Sequence, residues 1–362
     1  MKLRRLDIQP LRLPLRTPLV TARETYPERR GWRVTVEDGE GSRGVGESMP
    51  LPAFGTEGVE ASLAALRGVA ARVAGLEARD VSEVEPLLQR FSALSGAPAA
   101  RHAVECAVLE LLALRQGRPL AALLGPSPRE RIEVNALLSA GTPEAAAREA
   151  AQAVQAGFRT LKLKVGTGGV ALDVSRLRAV REAVGPGVKL RIDPNGVWSE
   201  AQAVEALGAL EPFGLELCEQ PVAPSDFQAL RRVRARVRVP IAADEAVPLP
   251  GAVDALLGGA EGPGVDVLVL KPMVVGGLLR TQALAERAAR VGVGAYVTSS
   301  IDGPVARAAA LHLAAVLPEA RFAHGLAVGH FFVEPDPARV VPREGGLRVP
   351  TAPGLGLLEN GP

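Results

Sequence analysis

Short apolar runs recur along the middle of the chain, and each of them ends on a charged residue. Five runs end in this way at an almost constant spacing, with gaps of 29, 26, 25 and 27 residues. The end residues are Lys164, Asp193, Glu219, Asp244 and Lys271. Such runs are typical of buried parallel strands, and a period of about 26 residues accommodates one strand and one helix. The pattern predicts repeated βα units with a charge at the carboxyl end of each strand.

Similar runs on both sides of these five bring the number of predicted strands to eight. The first strand is expected at 132–138, followed by a helix at 143–156 with Thr142 as its N-cap. The seventh and eighth strands are expected at about 294–298 and 321–324. Eight βα units close into a barrel whose strand ends share one mouth, where active sites form. The predicted fold class is α/β, with a modified (β/α)8 (TIM-like) barrel.

The residues before and after the barrel do not show this period. Strand-like alternation and turns occupy residues 1–50, and helical spacing of apolar residues covers most of 56–117. We therefore expect an α+β capping domain at 1–125 and a barrel carrying the active site at 126–325. The tail, 326–362, is expected to pack on the capping domain.

Composition excludes several classes of function. The chain is 47% hydrophobic and has a net charge of +2, which gives no general attraction to nucleic acid or to a membrane. The sequence contains no apolar run of about 18 residues, the length that a membrane-spanning helix requires. Cys106 and Cys218 are expected as buried free thiols, and the N-terminus does not resemble a signal peptide, which favours a cytoplasmic location. The expected partner is a small-molecule carboxylate, and a homo-oligomer is left open.

Three of the strand-end residues are carboxylates, namely Asp193, Glu219 and Asp244. A single acid at a strand end is usually a helix N-cap or a surface residue, but three in register with the strand period indicate a shared site. Three carboxylate oxygens with water and substrate form the octahedral oxygen site that Mg²⁺ prefers, with Mn²⁺ as a substitute. Histidine is absent from these positions, which argues against zinc.

Two lysines share one face of the second predicted strand, because side chains alternate along a strand. These are Lys162 and Lys164, and the alternative is that one of them extends to solvent. A lysine acts as a base when desolvation and a neighbouring cation favour loss of its proton, and Lys271 enters from the opposite wall. Asn195 and Glu245 are either a turn residue and an outward-pointing acid or supports for the ligands and lysines.

Taken in order along the chain, these residues resemble the enolase superfamily, muconate-lactonizing-enzyme subgroup. The matching motifs are Lys162-x-Lys164, Asp193-x-Asn195, Glu219-Gln220-Pro221, Asp244-Glu245 and Lys271-Pro272. The resemblance covers nearly the whole chain and implies an α+β capping domain, a modified barrel and a tail that returns to the cap. It also implies that the three carboxylates bind Mg²⁺, that Lys164 and Lys271 flank the substrate, and that Lys162 tunes Lys164.

Two further segments bear on the substrate. Residues 46–55 (GESMPLPAFG) are similar to the capping-domain loop of o-succinylbenzoate synthases, and 298–302 (TSSID) resembles their Ser-rich segment. That family usually has Glu followed by Ser where this chain has Asp302-Gly303. The Gly pair after Lys271 is either a plain turn or a place where backbone amides meet an anion, and 17–28 is expected to close over the substrate. The candidate substrate contacts are Pro50, Phe54, Ser299, Ser300, Gly276 and Gly277.

The first expectation for function is o-succinylbenzoate synthase activity, a lyase reaction that eliminates water from a cyclohexadiene carboxylate in menaquinone biosynthesis. The alternative is racemisation of an N-acylated (N-succinyl) amino acid, which uses the same metal and both lysines as alternating bases. Cycloisomerisation and dipeptide epimerisation are further alternatives, although the epimerases' Asp-x-Asp after strand eight is missing from 324–329. A barrel kept only for binding is disfavoured, because every catalytic residue type is present.

Overall fold

The amino-terminal part of the chain is an antiparallel sheet. The structure, a computed structural model, describes residues 1–20, 24–258, 262–318 and 321–357. The strands lie in the order β1 (Leu3–Val20), β2 (Thr25–Asp38) and β3 (Arg43–Ser48). The pairing of β1 with β2 begins at Leu3 opposite Asp38 and ends at Val20 opposite Thr25. Strand β2 pairs antiparallel with β3, and this pairing ends with Glu37 opposite Arg43, so a short turn connects them.

Helices cover one face of this sheet and complete the cap. Their bounds are α1 (Val59–Ala70), α2 (Val84–Gln89), α3 (Pro98–Arg115) and α4 (Leu120–Leu124). Helix α3 is buried along nearly its whole length, from Ala99 to Ala113. It lies so close to β3 that a Cβ on Gly46 would stand 2.0 Å from the carbonyl oxygen of Ala103. The glycine in β3 is therefore required by the close approach of the helix.

The wall of the barrel is one parallel sheet in which neighbours in sequence are neighbours in space. Within the described part of the chain the order is β11-β10-β9-β8-β7-β6-β5. The strands are β5 (Ala136–Leu138), β6 (Thr160–Lys164), β7 (Lys189–Asp193), β8 (Leu215–Glu219), β9 (Ile241–Ala243), β10 (Val267–Leu270) and β11 (Gly294–Val297). The prediction of a modified (β/α)8 barrel with an α+β cap is confirmed.

Helices follow the strands on the outside of the barrel. Their bounds are α5 (Pro143–Gln155), α6 (Val170–Val184), α7 (Glu200–Leu210), α8 (Phe227–Arg236), α9 (Ala252–Leu257), α10 (Pro272–Val275), α11 (Leu278–Arg290) and α12 (Pro304–Ala314). As expected, the Thr142 side chain caps α5 by accepting a hydrogen bond from the Ala145 N–H. Short 3-10 turns lie at Pro52–Phe54, Val81–Glu83, Ser92–Leu94, Glu211–Phe213, Gly329–Phe331 and Ala338–Val340.

The first and eighth predicted strands differ from expectation. The first is divided, because Arg131–Glu133 (β4) pairs antiparallel with the tail strand β12 (Gly346–Arg348), and only β5 joins the barrel. The eighth, at 321–324, is not a regular strand. It closes the barrel through single bridges, from His324 to Val134 and from Gly325 to Thr298. Its backbone thus reaches each neighbour at one point and not along a ladder.

A buried apolar cluster fills much of the barrel interior below the mouth: Leu217, Ala242, Val267, Val269, Tyr296 and Phe322. Such layers are typical of closed barrels. One charge lies among them, since the buried Arg191 guanidinium stands 4.4 Å from the centre of the Tyr296 ring and is paired with Glu216. The charged residues at the strand ends therefore lie above a buried, mainly apolar layer. In the described ranges, no helix is long and apolar enough to cross a membrane.

The tail contacts both the cap and the barrel. Besides β12 on β4, Leu120 N donates to Gly354 O at 2.8 Å. The carboxylate of Glu110 on α3 accepts from Val45 N at 3.1 Å and from Leu355 N at 3.4 Å. This one side chain joins a strand, a helix and the tail. The domain boundaries at 125/126 and 325/326 stay predictions.

The buried Glu110 predicts a pH dependence of stability. Burial raises the pKa of Glu110 to about 7, so the folded protein holds a proton there that the unfolded chain loses near its ordinary value of 4.5. The resulting stability is fully present below about pH 4.5 and is lost as the pH rises through 7. Relative to Glu110→Gln, the wild type should lose on the order of 3 kcal/mol of unfolding free energy between pH 4.5 and 8. Urea denaturation of both proteins across this range checks it, and parallel pH profiles would contradict it.

Candidate active site

The charged residues predicted from the strand period lie in one pocket at the mouth of the barrel. This follows from the parallel sheet, because the carboxyl ends of its strands share an edge. The pocket is lined by Lys162, Lys164, Asp193, Asn195, Glu219, Asp244, Glu245 and Lys271. The structure therefore brings together all eight residues expected as metal ligands, lysines and their supports.

The order of the strands fixes how these charges face each other. Lys164 ends β6 and Lys271 directly follows β10, and three strands, β7, β8 and β9, lie between them. The segment at 321–325 fills the eighth place in the ring, so β6 and β10 are opposite each other. The three carboxylates end the intervening strands. Two lysines thus flank an arc of three acids.

Asp193 is held by both lysines of β6. Its Oδ2 accepts hydrogen bonds from Lys162 Nζ at 2.8 Å and from Lys164 Nζ at 2.7 Å. Burial alone would raise the pKa of this carboxyl, but the two lysines outweigh it and hold the pKa of Asp193 below its usual range. Asp193 is therefore a carboxylate under all ordinary conditions.

Glu219 is a buried acid that is paired with one lysine, whereas Asp193 is paired with two. Its Oε1 accepts from Lys162 Nζ at 2.5 Å, and its Oε2 accepts from the Tyr296 hydroxyl at 2.7 Å. Burial raises the pKa of Glu219 to about 7 despite Lys162, and the charges of Asp193 and Asp244 act in the same direction. By count, the described pocket lining holds four acids and three lysines.

Asp244 and Lys271 form a buried pair on the opposite wall. Lys271 Nζ donates to Asp244 Oδ1. Burial, the largest cause, and Glu245 raise the pKa of Asp244. For Lys271, burial would lower the pKa, but Asp244 and Glu245 outweigh it and raise that pKa. The ring of Phe54 reaches across from the cap to within 5.2 Å of Lys271 Nζ.

Other polar side chains hold these groups in place. Asn195 accepts from Lys164 Nζ at 2.6 Å and donates to Glu245 Oε1 at 2.8 Å, so it bridges the two sides of the mouth. Gln220 is buried, and its Oε1 accepts from Asp244 N at 3.0 Å and Ala246 N at 3.2 Å. Sequence reasoning missed the structural role of Gln220 and missed Tyr296 altogether. The only signal in the sequence was the position of Tyr296, two residues before the end of its predicted strand, because side chains two residues apart on a strand lie on the same face.

The donor set suits a hard cation. In the described residues, no three Asp, Glu, His or Cys side chains already stand close enough to share an ion, because lysine amines occupy the carboxylate oxygens. The set is nevertheless all oxygen and buried, and burial raises the pKa of Glu219. Glu245 Oε2 is also buried with no hydrogen-bond partner in the described chain. These residues fit Mg²⁺, a hard cation that prefers oxygen ligands.

The candidate substrate contacts divide into two groups. Phe54 and Ser299 line the pocket. Pro50 does not line it, since its carbonyl accepts from the buried Arg29 side chain at 3.1 Å. Ser300 is buried nearby but also lies outside the lining.

The predicted role of the glycine pair after Lys271 as a substrate contact needs correction. Gly276 and Gly277 face helix α3 of the cap and not the pocket. Gly276 O accepts from the Arg101 guanidinium, and a Cβ on Gly277 would meet the Glu105 carboxylate at 2.5 Å. The pair is a point of contact between the cap and the barrel, because the absence of side chains lets α3 approach.

The rest of the pocket wall is mainly apolar and comes from several parts of the chain. It includes Leu19, Leu137, Ile301, Val328 and Phe331. Leu19 belongs to the segment 17–28 that was expected to close over the substrate; residues 21–23 of that segment lie outside the described residues, as do 358–362 of the tail.

Family models match both parts of the chain. Residues 5–125 match the mandelate racemase / muconate lactonizing enzyme N-terminal domain, and residues 145–358 match the enolase C-terminal domain-like family. The chain belongs to the mandelate racemase/muconate lactonizing enzyme family of the enolase superfamily and is an enzyme of that superfamily. The superfamily predicted from the motifs is confirmed.

Individual relatives differ in activity. An N-succinyl-L-Arg/Lys racemase of Bacillus cereus is 28% identical over 87% of this chain and 84% of its own. An o-succinylbenzoate synthase of Thermobifida fusca is 42% identical, but over 57% of this chain and 63% of its own. A dipeptide epimerase of Enterococcus faecalis, crystallised with Mg and L-Leu-L-Tyr, superimposes with a TM-score of 0.88 at 28% identity, covering 98% of this chain and 99% of that one. The racemase and the epimerase thus match over more of this chain than the synthase does.

The Tyr296 hydroxyl predicts a measurable contribution to stability. Tyr296→Phe would leave Glu219 Oε2 buried without its donor, since the two groups lie 2.7 Å apart. An unpaired buried acceptor costs about 1–3 kcal/mol. We expect a loss of that order in the unfolding free energy from urea denaturation of the metal-free protein. Unchanged stability would contradict the contact.

Proposed function

We propose that this enzyme is a Mg²⁺-dependent racemase of an N-acylated amino acid. The observation that carries the proposal is the position of Lys164 and Lys271 on opposite strands of the barrel, with the three carboxylates between them. Inversion at a carbon acid needs a base on one face and an acid on the other. Similarity to the Bacillus cereus racemase over most of both chains supports the same reaction.

The chain's own residues divide the work. Asp193, Glu219 and Asp244 would hold Mg²⁺, which supplies positive charge beside the substrate carboxylate and stabilises charge that develops there. Lys164 takes the proton from the α-carbon on one face, and Lys271 delivers a proton to the other face. In the reverse direction the two lysines exchange roles. The relatives crystallised with Mg support this choice of metal.

The pocket wall favours an acylated amine over a free one. A free ammonium group would need an acid beyond the metal-binding set. Among the described residues that line the pocket, Glu245 is the one acid outside the three ligands, and it lies at the charged mouth beside Asn195 and Lys271 and not on the apolar wall. The remaining wall is mainly apolar, which suits an acyl group and an apolar side chain. This separates the proposal from dipeptide epimerisation.

Dehydration to o-succinylbenzoate is the second candidate. It is favoured by the 42% identity to the Thermobifida fusca synthase and by the place of Phe54 in the pocket. In that reaction Lys164 removes the α-proton and then protonates the departing hydroxide, while Lys271 stays charged. The same groups thus serve either substrate.

A substrate panel decides between the candidates. The enzyme with Mg²⁺ should racemise N-succinyl amino acids with apolar side chains and leave free dipeptides unchanged, as followed by polarimetry and chiral chromatography. The cyclohexadiene substrate of the synthase, followed by ultraviolet absorbance, is the competing arm. Turnover of the cyclohexadiene acid alone would replace racemisation by dehydration, and epimerisation of free dipeptides would overturn the argument from the wall.

Single lysine variants predict a distinct isotope pattern. Lys164→Ala and Lys271→Ala should each abolish racemisation, yet each should still exchange the α-hydrogen of one enantiomer with solvent deuterium, because the other base remains. Proton NMR in D₂O on both enantiomers of an N-succinyl amino acid measures this. Lys189→Ala, at the amino-terminal end of β7, is the matched control and should keep full activity. Exchange of both enantiomers by one variant would exclude the two-base arrangement.

A further inference from the structure

Four helices of the barrel, α6, α9, α11 and α12, begin at glycine, which has no side chain to cap them. Two of the four, α11 and α12, start against the capping domain. Helix α11 has Gly277 as its N-cap and α12 has Gly303. By contrast, α5 and α7 are capped by the side chains of Thr142 and Ser199. The first N–H groups of a helix have no partner inside the helix and must find one elsewhere.

Those partners come from the cap. Glu47, in β3, accepts hydrogen bonds through Oε2 from Val305 N and Ala306 N at 3.1 Å each, at the start of α12. Glu105, on α3, accepts from Leu279 N at 3.0 Å, at the start of α11. Both glutamates are fully buried, at 0% exposure. A carboxylate in this position is also favoured by the helix dipole.

The glycines make room for these carboxylates. A Cβ on Gly303 would stand 2.4 Å from Glu47 Oε2, and a Cβ on Gly277 would stand 2.5 Å from both oxygens of Glu105. The backbone of Gly303 is extended, with φ of −67°, a conformation that any residue adopts. Glycine is therefore needed at 303 for space and not for its conformation. Helices α11 and α12 thus have no side-chain cap of their own, and a glutamate of the capping domain takes that role at each of them.

We propose that Glu47 and Glu105 are positioning residues, which fix the cap to the two barrel loops that complete the active site. Helix α11 starts just after the Lys271 loop (271–277), and α12 starts just after the Ile301 loop (298–303). Glu47 itself precedes, by seven residues, Phe54 on the pocket wall. Its carboxylate thus joins the loop that carries Phe54 to the loop that carries Ile301.

The conformation of Ile301 shows that its loop needs such support. Ile301 has φ of 60°, a region that β-branched residues rarely adopt. Its carbonyl accepts from the buried Arg29 side chain at 3.2 Å, and the same guanidinium donates to Met49 O and Pro50 O of the Phe54 loop. A strained residue of this kind persists only where its surroundings hold it. The tie through Glu47, at Val305 and Ala306, lies four and five residues further along the chain, just past the end of this loop.

Moving the cap of α12 from Glu47 to the helix itself tests the proposal. The set is Glu47→Ala, Gly303→Ser, the double variant of these two, and Glu47→Gln, which keeps an acceptor. In the double variant, the serine introduced by Gly303→Ser would occupy the space left by the carboxylate and cap the same N–H groups, at the second and third helical positions. Asp226→Ala, which removes the side-chain cap of α8, is the control for simple loss of a cap.

Three measurements are made on each full-length variant. They are the thermal unfolding midpoint, amide hydrogen exchange of residues 50–55 and 298–303, and kcat and KM for the substrate found by the panel. The first two need no substrate, so they decide the proposal even if the proposed reaction is wrong. The single changes Glu47→Ala and Gly303→Ser should each lower the midpoint by about 3 °C or more.

The double variant separates capping from positioning. It should regain the wild-type midpoint, yet exchange at 298–303 should stay faster than in the wild type and kcat should stay about tenfold or more below it, since small misplacements cost rate. Glu47→Gln should retain the wild-type midpoint, hydrogen exchange and kcat. Asp226→Ala should lower the midpoint and leave the other two unchanged. A double variant that regains wild-type exchange and kcat would reduce Glu47 to a simple cap. A double variant no more stable than Glu47→Ala would overturn the capping role.

Discussion

Three carboxylates brought out of water at one barrel mouth are the constraint on which this structure depends. Their mutual repulsion and desolvation must be offset by cations within a few ångströms. The lysines on the flanking strands do this in part, as the low pKa of Asp193 shows, while burial still raises the pKa of Glu219 to about 7. A divalent cation would offset the remaining cost, and the oxygen ligands suit a hard metal.

The outline of the fold follows from the spacing of apolar runs, because each βα unit needs a similar length of chain. Where the prediction from sequence was wrong, pairing with a distant part of the chain was the reason. Arg131–Glu133 is recruited by a tail strand far away in sequence, which shortens the first barrel strand. The last segment, at 321–325, pairs with its neighbours through single bridges at His324 and Gly325. Neither effect is visible in local hydrophobicity, because both depend on pairings with chain that is distant in sequence.

The charged part of the site was predictable because three acids and two lysines recur in register with the strand period, which isolated helix caps or surface acids would not do. The role of Tyr296 was not predictable, since an aromatic residue in a strand is normally part of the hydrophobic core. Only the structure shows that its hydroxyl donates to Glu219. The role of the glycine pair at 276–277 was also misjudged. A glycine makes room either for a ligand or for another helix, and the local sequence does not distinguish the two.

The apolar pocket wall has a consequence for how such enzymes diversify. The charges all come from barrel strand ends, whereas the wall draws on Leu19 and Phe54 from the cap and on Phe331 from the tail. The choice of acid is therefore encoded partly in stretches of chain that carry none of the charges. Substitutions at Leu19, Phe54 or Phe331 would change the wall and leave the charged ring in place. A racemase, an epimerase and a synthase that share this architecture are the outcome expected of such a division.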